Sequence, residues 1–135
     1  LPAIRSLVNR GLQLDERYEA GAFHEASIVL DALPPAMGGS PEAARRHFSR
    51  AIEISKDSRP SPYVTLAQSV SVLQQDRGEF RRLLERALVF DPDKDPSQRL
   101  ATIVLQRKAR ALLERQDEFF LDDATVPDTT TQENR

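Results

Sequence analysis

Residues 43–57, AARRHFSRAIEISKD, and residues 79–93, EFRRLLERALVFDPD, decide the fold. Laid over one another, they place Ala44 on Phe80, Phe48 on Leu84 and Ala51 on Ala87, each pair 36 positions apart. Apolar residues fall on one stripe of a 3.6-residue period in both segments, the pattern of an amphipathic helix. The charged residues repeat with them, Arg45, Arg46 and Arg50 in one segment answering Arg81, Arg82 and Arg86 in the other.

The same pattern opens the chain. In IRSLVNRGLQLDE, residues 4–16, Ile4, Val8, Gly11 and Asp15 stand where Phe80, Leu84, Ala87 and Asp91 stand later. This first copy leads the second by 40 positions, and the excess falls at PPAMGG, residues 34–39. A period in the mid-thirties with two helices per unit is the mark of tetratricopeptide repeats. The physical reason is packing. A small residue (Gly11, Ala51, Ala87) lets a neighbouring helix come close, a large one (Val8, Phe48, Leu84) fills the groove, and a proline such as Pro92 stops the helix.

Helix starts are written beside these stripes. Ser40-Pro41, Ser61-Pro62 and Asp95-Pro96 each set a capping side chain before a proline at the first helical position. Asp76 with Glu79 resembles a capping box. The reading is helices over 2–17, 18–33, 41–55, 62–74, 77–90 and 96–121. The expected architecture is all-α: a tetratricopeptide-like solenoid of antiparallel helix pairs over residues 1–121, closed by a longer C-terminal capping helix. Residues 122–135, DDATVPDTTTQENR, are too polar to join a core and are expected to form a mobile tail.

Composition narrows the function classes. The chain has 135 residues, enough for one domain, with 39% hydrophobic and 30% charged residues and a net charge of −2. That balance gives no global basic field for nucleic acid. The absence of cysteine excludes disulfides, thiolate catalysis and cysteine-ligated zinc within these residues. No apolar run approaches the ~18 residues a membrane span needs. No signal peptide is visible, and the chain opens on Leu1-Pro2 rather than a methionine, the expected start of either a trimmed or a mature fragment with room for a signal upstream.

Several stretches occur in an order more particular than a repeat: LDERYEAGAFHEA, LPPAMGG, SPEAARRHFSRAIEIS, SPYVTLAQSVSV, FRRLLERALVFDPDKDPSQRLAT and KARALLER. Together, over residues 1–121, they resemble the T-component family of tetratricopeptide-like proteins associated with tripartite ATP-independent periplasmic (TRAP) transporters. The resemblance implies a periplasmic lipoprotein, anchored through an acylated cysteine upstream of this segment. It implies self-association as a homo-oligomer, a trimer in the best-studied case. It also implies binding to the transporter's periplasmic solute-binding protein and passage of a small apolar ligand through a pore or cleft.

Candidate site residues cluster around the insert. Pro34 cannot continue a helix, Pro35 stiffens the turn, and Gly38-Gly39 permits unusual backbone before the Ser40 cap. The insert reads either as a turn that redirects the chain or, with Met37, as the rigid wall of a ligand cleft. His24 and His47, the chain's only histidines, sit beside Phe23 and Phe48 on the helices that the insert joins. If those rings face the core, each histidine lies ~100° round its helix and can flank a cleft mouth. Tyr63 and Thr65 in SPYVTLA serve either packing between repeats or ligand contact. No third ligand at metal spacing accompanies the histidines, and no cofactor motif or catalytic arrangement is present. Asp91, Asp93 and Asp95 alternate as in a calcium loop but lack its glycine and closing glutamate, so turn duty fits them better. The leading reading is a non-enzymatic accessory subunit of a solute uptake system. Its rivals are a peptide-binding tetratricopeptide adaptor and, behind it, an enzyme centred on His24 and His47.

Overall fold

A computed structural model describes residues 2–121. They form six α-helices and no strand: α1 (Pro2–Asp15), α2 (Ala22–Asp31), α3 (Pro41–Ser55), α4 (Ser61–Leu66), α5 (Arg77–Leu88) and α6 (Arg99–Glu114). This is the all-α class that the periodicity predicts. The tail expected over 122–135 lies outside the described residues. No described helix is long and apolar enough to cross a membrane.

Two of the written caps act as read. Ser40 Oγ accepts from the Ala43 amide at 3.2 Å, with Pro41 opening α3. The Asp76 carboxylate accepts from the Glu79 amide at 2.9 Å and starts α5. Elsewhere the helix spans need correction. The helix expected from residue 18 begins at Ala22, because Tyr18–Ala20 form a 3₁₀ turn that passes through left-handed backbone at Glu19, Ala20 and Gly21. Ser61 is not the cap of α4 but its first residue, and its hydroxyl donates instead to Glu25 Oε2 at 2.9 Å. Asp95 caps a 3₁₀ turn over Pro96–Gln98, after which α6 runs only to Glu114 before a second 3₁₀ turn at Gln116–Glu118.

The expected helix over 62–74 is also altered. After Leu66 the chain widens into a π turn over Ala67–Ser71. Ala67, Val70 and Ser71 face inward together, each fully buried, at the i, i+3, i+4 spacing of one helix face. Ser71 Oγ donates to Glu79 Oε1 at 2.6 Å, and Arg45 donates to both oxygens of the same carboxylate at 2.8 and 2.9 Å. Glu79, expected to reach back to its own cap, ties α3, the π turn and α5 together instead.

Each helix packs on the next, and α2 touches α4 as α4 touches α6. The repeat positions do what their sizes suggest. Ala44, Ala51, Phe80, Leu84 and Ala87 are at most 1% exposed. The ring of Phe23 lies so close over Gly11 that a β-carbon there would stand 2.6 Å from it. One core cluster joins Ile28, Ala44, Leu66 and Val70. A second joins Val64, Ala67, Phe80, Leu84, Ala87, Ala109 and Phe120. Gln106, buried at the second cluster, donates to Phe90 O at 2.7 Å and Ala87 O at 3.3 Å, supplying partners to carbonyls that the end of α5 leaves open.

Candidate functional site

The PPAMGG insert is a compact structure of its own. Pro34 leaves the helix in extended backbone, Pro35–Met37 make a 3₁₀ turn, and Gly38 is left-handed with φ 86°. The carbonyl of Pro34 accepts from Met37 N at 2.8 Å and Gly39 N at 3.2 Å, and Ser40 N donates to Asp31 O at 2.8 Å. Between this loop, the start of α1 and the end of α2 lies a cavity of about 430 Å³ lined by Pro2, Arg5, Leu30, Leu33, Ala36, Met37 and Gly38. Its walls are apolar except for one guanidinium. Arg5 donates to Asp31 Oδ1 at 2.7 Å and to Leu30 O at 2.8 Å, where a cation suits the carbonyl end of α2.

Behind that wall a row of polar side chains joins α2 and α3 to the end of α1. Asp31, 4% exposed, has its second oxygen 3.6 Å from His47 Nε2. His47 Nδ1 meets His24 Nδ1 at 2.8 Å. His24 Nε2 donates to Glu16 Oε2 at 3.0 Å, and Arg50 holds the same carboxylate from the far side, its Nε donating to Oε2 at 3.2 Å. The Arg50 and His24 hydrogen bonds hold the Glu16 carboxyl down at about 2, and Glu16 in turn pushes the Arg50 guanidinium up. Burial, then the neighbouring charges of His24, Arg46 and Arg5, push His47 below the usual histidine range, and only Asp31 opposes them among its partners.

The nine sequence candidates therefore fall into three places. Met37 and Gly38 line the cavity, while Pro34, Pro35 and Gly39 shape the loop behind them. His24 and His47 meet each other, as their placement on the two joined helices suggests, but they stand behind Arg5 and Asp31 and do not line the cavity. Tyr63 and Thr65 lie elsewhere. Thr65 Oγ1 donates to Glu25 Oε1 at 3.0 Å and ties α4 to α2. The Tyr63 ring packs on Phe48 and Phe90, with centroids 5.3 and 5.9 Å apart, and the Arg86 guanidinium lies 5.3 Å over it.

Tyr63 yields a direct test. Its hydroxyl donates to Asp57 Oδ1 at 2.6 Å, and burial followed by that carboxylate pushes it up to about 12. The free phenol ionises near 10, so stability from this group is present below that value and is lost as pH rises towards the folded one. Absorbance titration is expected to show a tyrosinate step near 12 that Tyr63→Phe removes. At neutral pH the same substitution should lower stability by about 0.5–1.5 kcal/mol, because Asp57 keeps Arg86 as a donor. A titration unchanged by Tyr63→Phe contradicts the assignment.

Arg5, Glu16 and Asp31 escaped the sequence reading, and Arg50 entered it only as one of the repeated arginines. The usable signal was Asp31 itself, an acidic residue at the last helical position before a proline pair, where a carboxylate opposes the helix dipole unless a cation answers it. The three alternating aspartates do serve turns: Asp91 Oδ1 accepts from Asp93 N and Asp95 Oδ1 from Ser97 N. Among the described residues, no group of three or more histidine, cysteine, aspartate or glutamate side chains is arranged to hold a metal ion.

Residues 1–120 match the family model described as TRAP transporter T-component. Over 117 residues the chain is 29% identical to a protein of Treponema pallidum (strain Nichols) described as uncharacterized, a match covering 86% of this chain and 36% of that protein. The chain thus spans about a third of the length of this relative. With nearly the whole described fold inside the match, the chain belongs to the TRAP transporter T-component family.

Proposed function

We propose that this chain is the helical-repeat part of an accessory component of a TRAP-type solute uptake system. The observation that carries the reading is the family match over residues 1–120. In this reading the protein works outside the cytoplasmic membrane, held there by a lipid on an upstream cysteine, and docks as a homo-oligomer, a trimer, on the solute-binding protein. Its repeats are tetratricopeptide-like, a reading supported by the equivalent burial of Gly11, Ala51 and Ala87. The cleft beside Met37 and Gly38 takes a small, largely apolar ligand. Support for that lies in the chemistry of its walls, where Pro2, Leu30, Leu33 and Ala36 offer carbon surface and Arg5 is already answered by Asp31. An apolar ligand gains from such a wall without having to strip a charge of its partner. His24, His47, Pro34, Pro35 and Gly39 support the cleft, and Tyr63 and Thr65 brace the helices beyond it.

The test is co-purification of the full-length protein with the solute-binding protein of its own transporter, followed by native mass spectrometry. The expected result is a complex, with a trimer of this protein and an additional small mass that Met37→Arg abolishes. A protein that stays monomeric, empty and unbound overturns the reading.

A further inference from the structure

The two histidines are the chain's only groups with an unperturbed titration between pH 5 and 7, and they stand Nδ1 to Nδ1 at 2.8 Å. Counting hydrogens shows what that contact demands. Three contacts lie in a row: Glu16 to His24 Nε2, Nδ1 to Nδ1, and His47 Nε2 to Asp31. The first two, at 3.0 and 2.8 Å, are hydrogen bonds that each need one hydrogen between their heavy atoms, while the third, at 3.6 Å, is an ion-pair contact. Two neutral rings bring the two hydrogens those bonds need and leave the His47 Nε2 lone pair 3.6 Å from the Asp31 carboxylate. A third hydrogen, on His47 Nε2, turns that contact into an ion pair and sets one positive charge between two carboxylates. A fourth places two N–H groups against each other in the bridge.

We propose that His24 and His47 form a one-proton latch across α2 and α3: it is closed by the third hydrogen and opened by the fourth, so that mild acid loosens the seam beside the cleft. The surrounding charges act in that sense. Arg5 comes from α1 and Glu16 from just beyond its end, Asp31 from α2, and Arg46 and Arg50 from α3. Both carboxylates of the row are already held by arginine, Asp31 by Arg5 and Glu16 by Arg50, and Arg50 is itself shared with Glu53 at 2.7 Å. The downward push on His47 from burial and from His24 agrees with a fourth hydrogen that enters late.

The sign follows from linkage. In the unfolded chain both rings are protonated below about 6.5. A folded pair that stops at three hydrogens then holds one proton fewer than the unfolded chain, and the folding constant falls about tenfold for each pH unit below that value. Glu16, held at about 2, stays charged throughout this window.

The latch needs no partner or ligand, so the chain alone tests it and the outcome is independent of the transporter reading. Ring ¹⁵N shifts of the labelled protein, followed from pH 8 to 4.5, report hydrogen at each of the four nitrogens. The expected result at pH 6 is three hydrogens on four nitrogens, with the fourth entering only as the contact between Ile28 and Ala44 is lost. Two rings that reach four hydrogens near pH 6.5 with that contact intact overturn the proposal. Urea unfolding between pH 7 and 5 gives a second readout: the tenfold loss per unit in the native protein should shrink in His47→Asn, which offers His24 a donor but takes up no proton. Equal slopes in the two proteins overturn it as well. If His47→Asn does not fold, the nitrogen shifts of the unaltered chain decide alone.

Discussion

Alanine at Gly39 is expected to destabilise the fold by about 3 kcal/mol or more, the upper end of what forced overpacking costs. The obstacle is backbone. A β-carbon on Gly39 would stand 1.5 Å from the carbonyl oxygen of Leu33 and 2.4 Å from its carbon. No rotamer change relieves a contact with main chain, so the insert itself has to move. Moving it breaks the Gly39 N–Pro34 O and Ser40 N–Asp31 O hydrogen bonds, at 3.2 and 2.8 Å, and shifts the loop that carries Met37 and Gly38. Gly38 is the control. It has left-handed φ of 86°, but a β-carbon there meets nothing nearer than the Arg5 guanidinium at 3.9 Å. Gly38→Ala should therefore cost only the left-handed penalty, about 1–2 kcal/mol. Urea midpoints of the two variants separate the causes. If Gly38→Ala proves the more damaging, the steric account of the insert is wrong.

That pair of glycines also shows where reading from sequence stops. Gly-Gly after Pro-Pro announces special backbone, and so the insert stood out as the one irregular unit in a periodic chain. What it does not announce is which glycine is indispensable, because the answer depends on Leu33 folding back over Gly39. The caps divide in the same way. Ser40 and Asp76 find acceptor geometry within three residues of themselves, and local spacing was enough to place them. Ser61 has the same local grammar, yet its hydroxyl is taken by Glu25, 36 residues away. A long-range carboxylate outbids a cap, and nothing near Ser61 betrays it.

The row behind the cleft follows that rule too. His24 and His47 were legible as a pair, since each adjoins a core phenylalanine on helices that one insert joins. Their partners were not. Arg5 reaches Asp31 across 26 residues and Arg50 reaches Glu16 across 34, and each arginine looks in the sequence like any other solvated charge. The π turn was hidden for a different reason. Its buried residues, Ala67, Val70 and Ser71, are spaced as on an ordinary α-helix, so the apolar pattern carries no mark of the added residue.

Phe80→Ala should cost about 3–5 kcal/mol, the range for emptying a buried phenylalanine site. The side chain is the largest of those fully buried among the described residues, and it meets the rings of Phe120 and Phe119 at 5.1 and 5.9 Å. The repeat makes this prediction sharper than burial alone. Alanine already occupies the equivalent position in α3, where Ala44 is equally buried among Ile28, Leu66 and Val70. Alanine is thus compatible with the helix and its register; what it cannot do is fill the space that the residues after Gln116–Glu118 leave above α5. The loss should therefore depend on Phe120. In a double-mutant cycle, Phe80→Ala in a Phe120→Ala background is expected to cost less by about 0.5–1.5 kcal/mol, the worth of an aromatic pair beyond its area. The third equivalent position sets the scale. Ile4 is 50% exposed, so Ile4→Ala should fall within about 1 kcal/mol of the unaltered chain. Comparable losses at Ile4 and Phe80, measured by urea unfolding, would mean that the exposed face of α1 is covered in solution and that burial along the repeat is not graded as described.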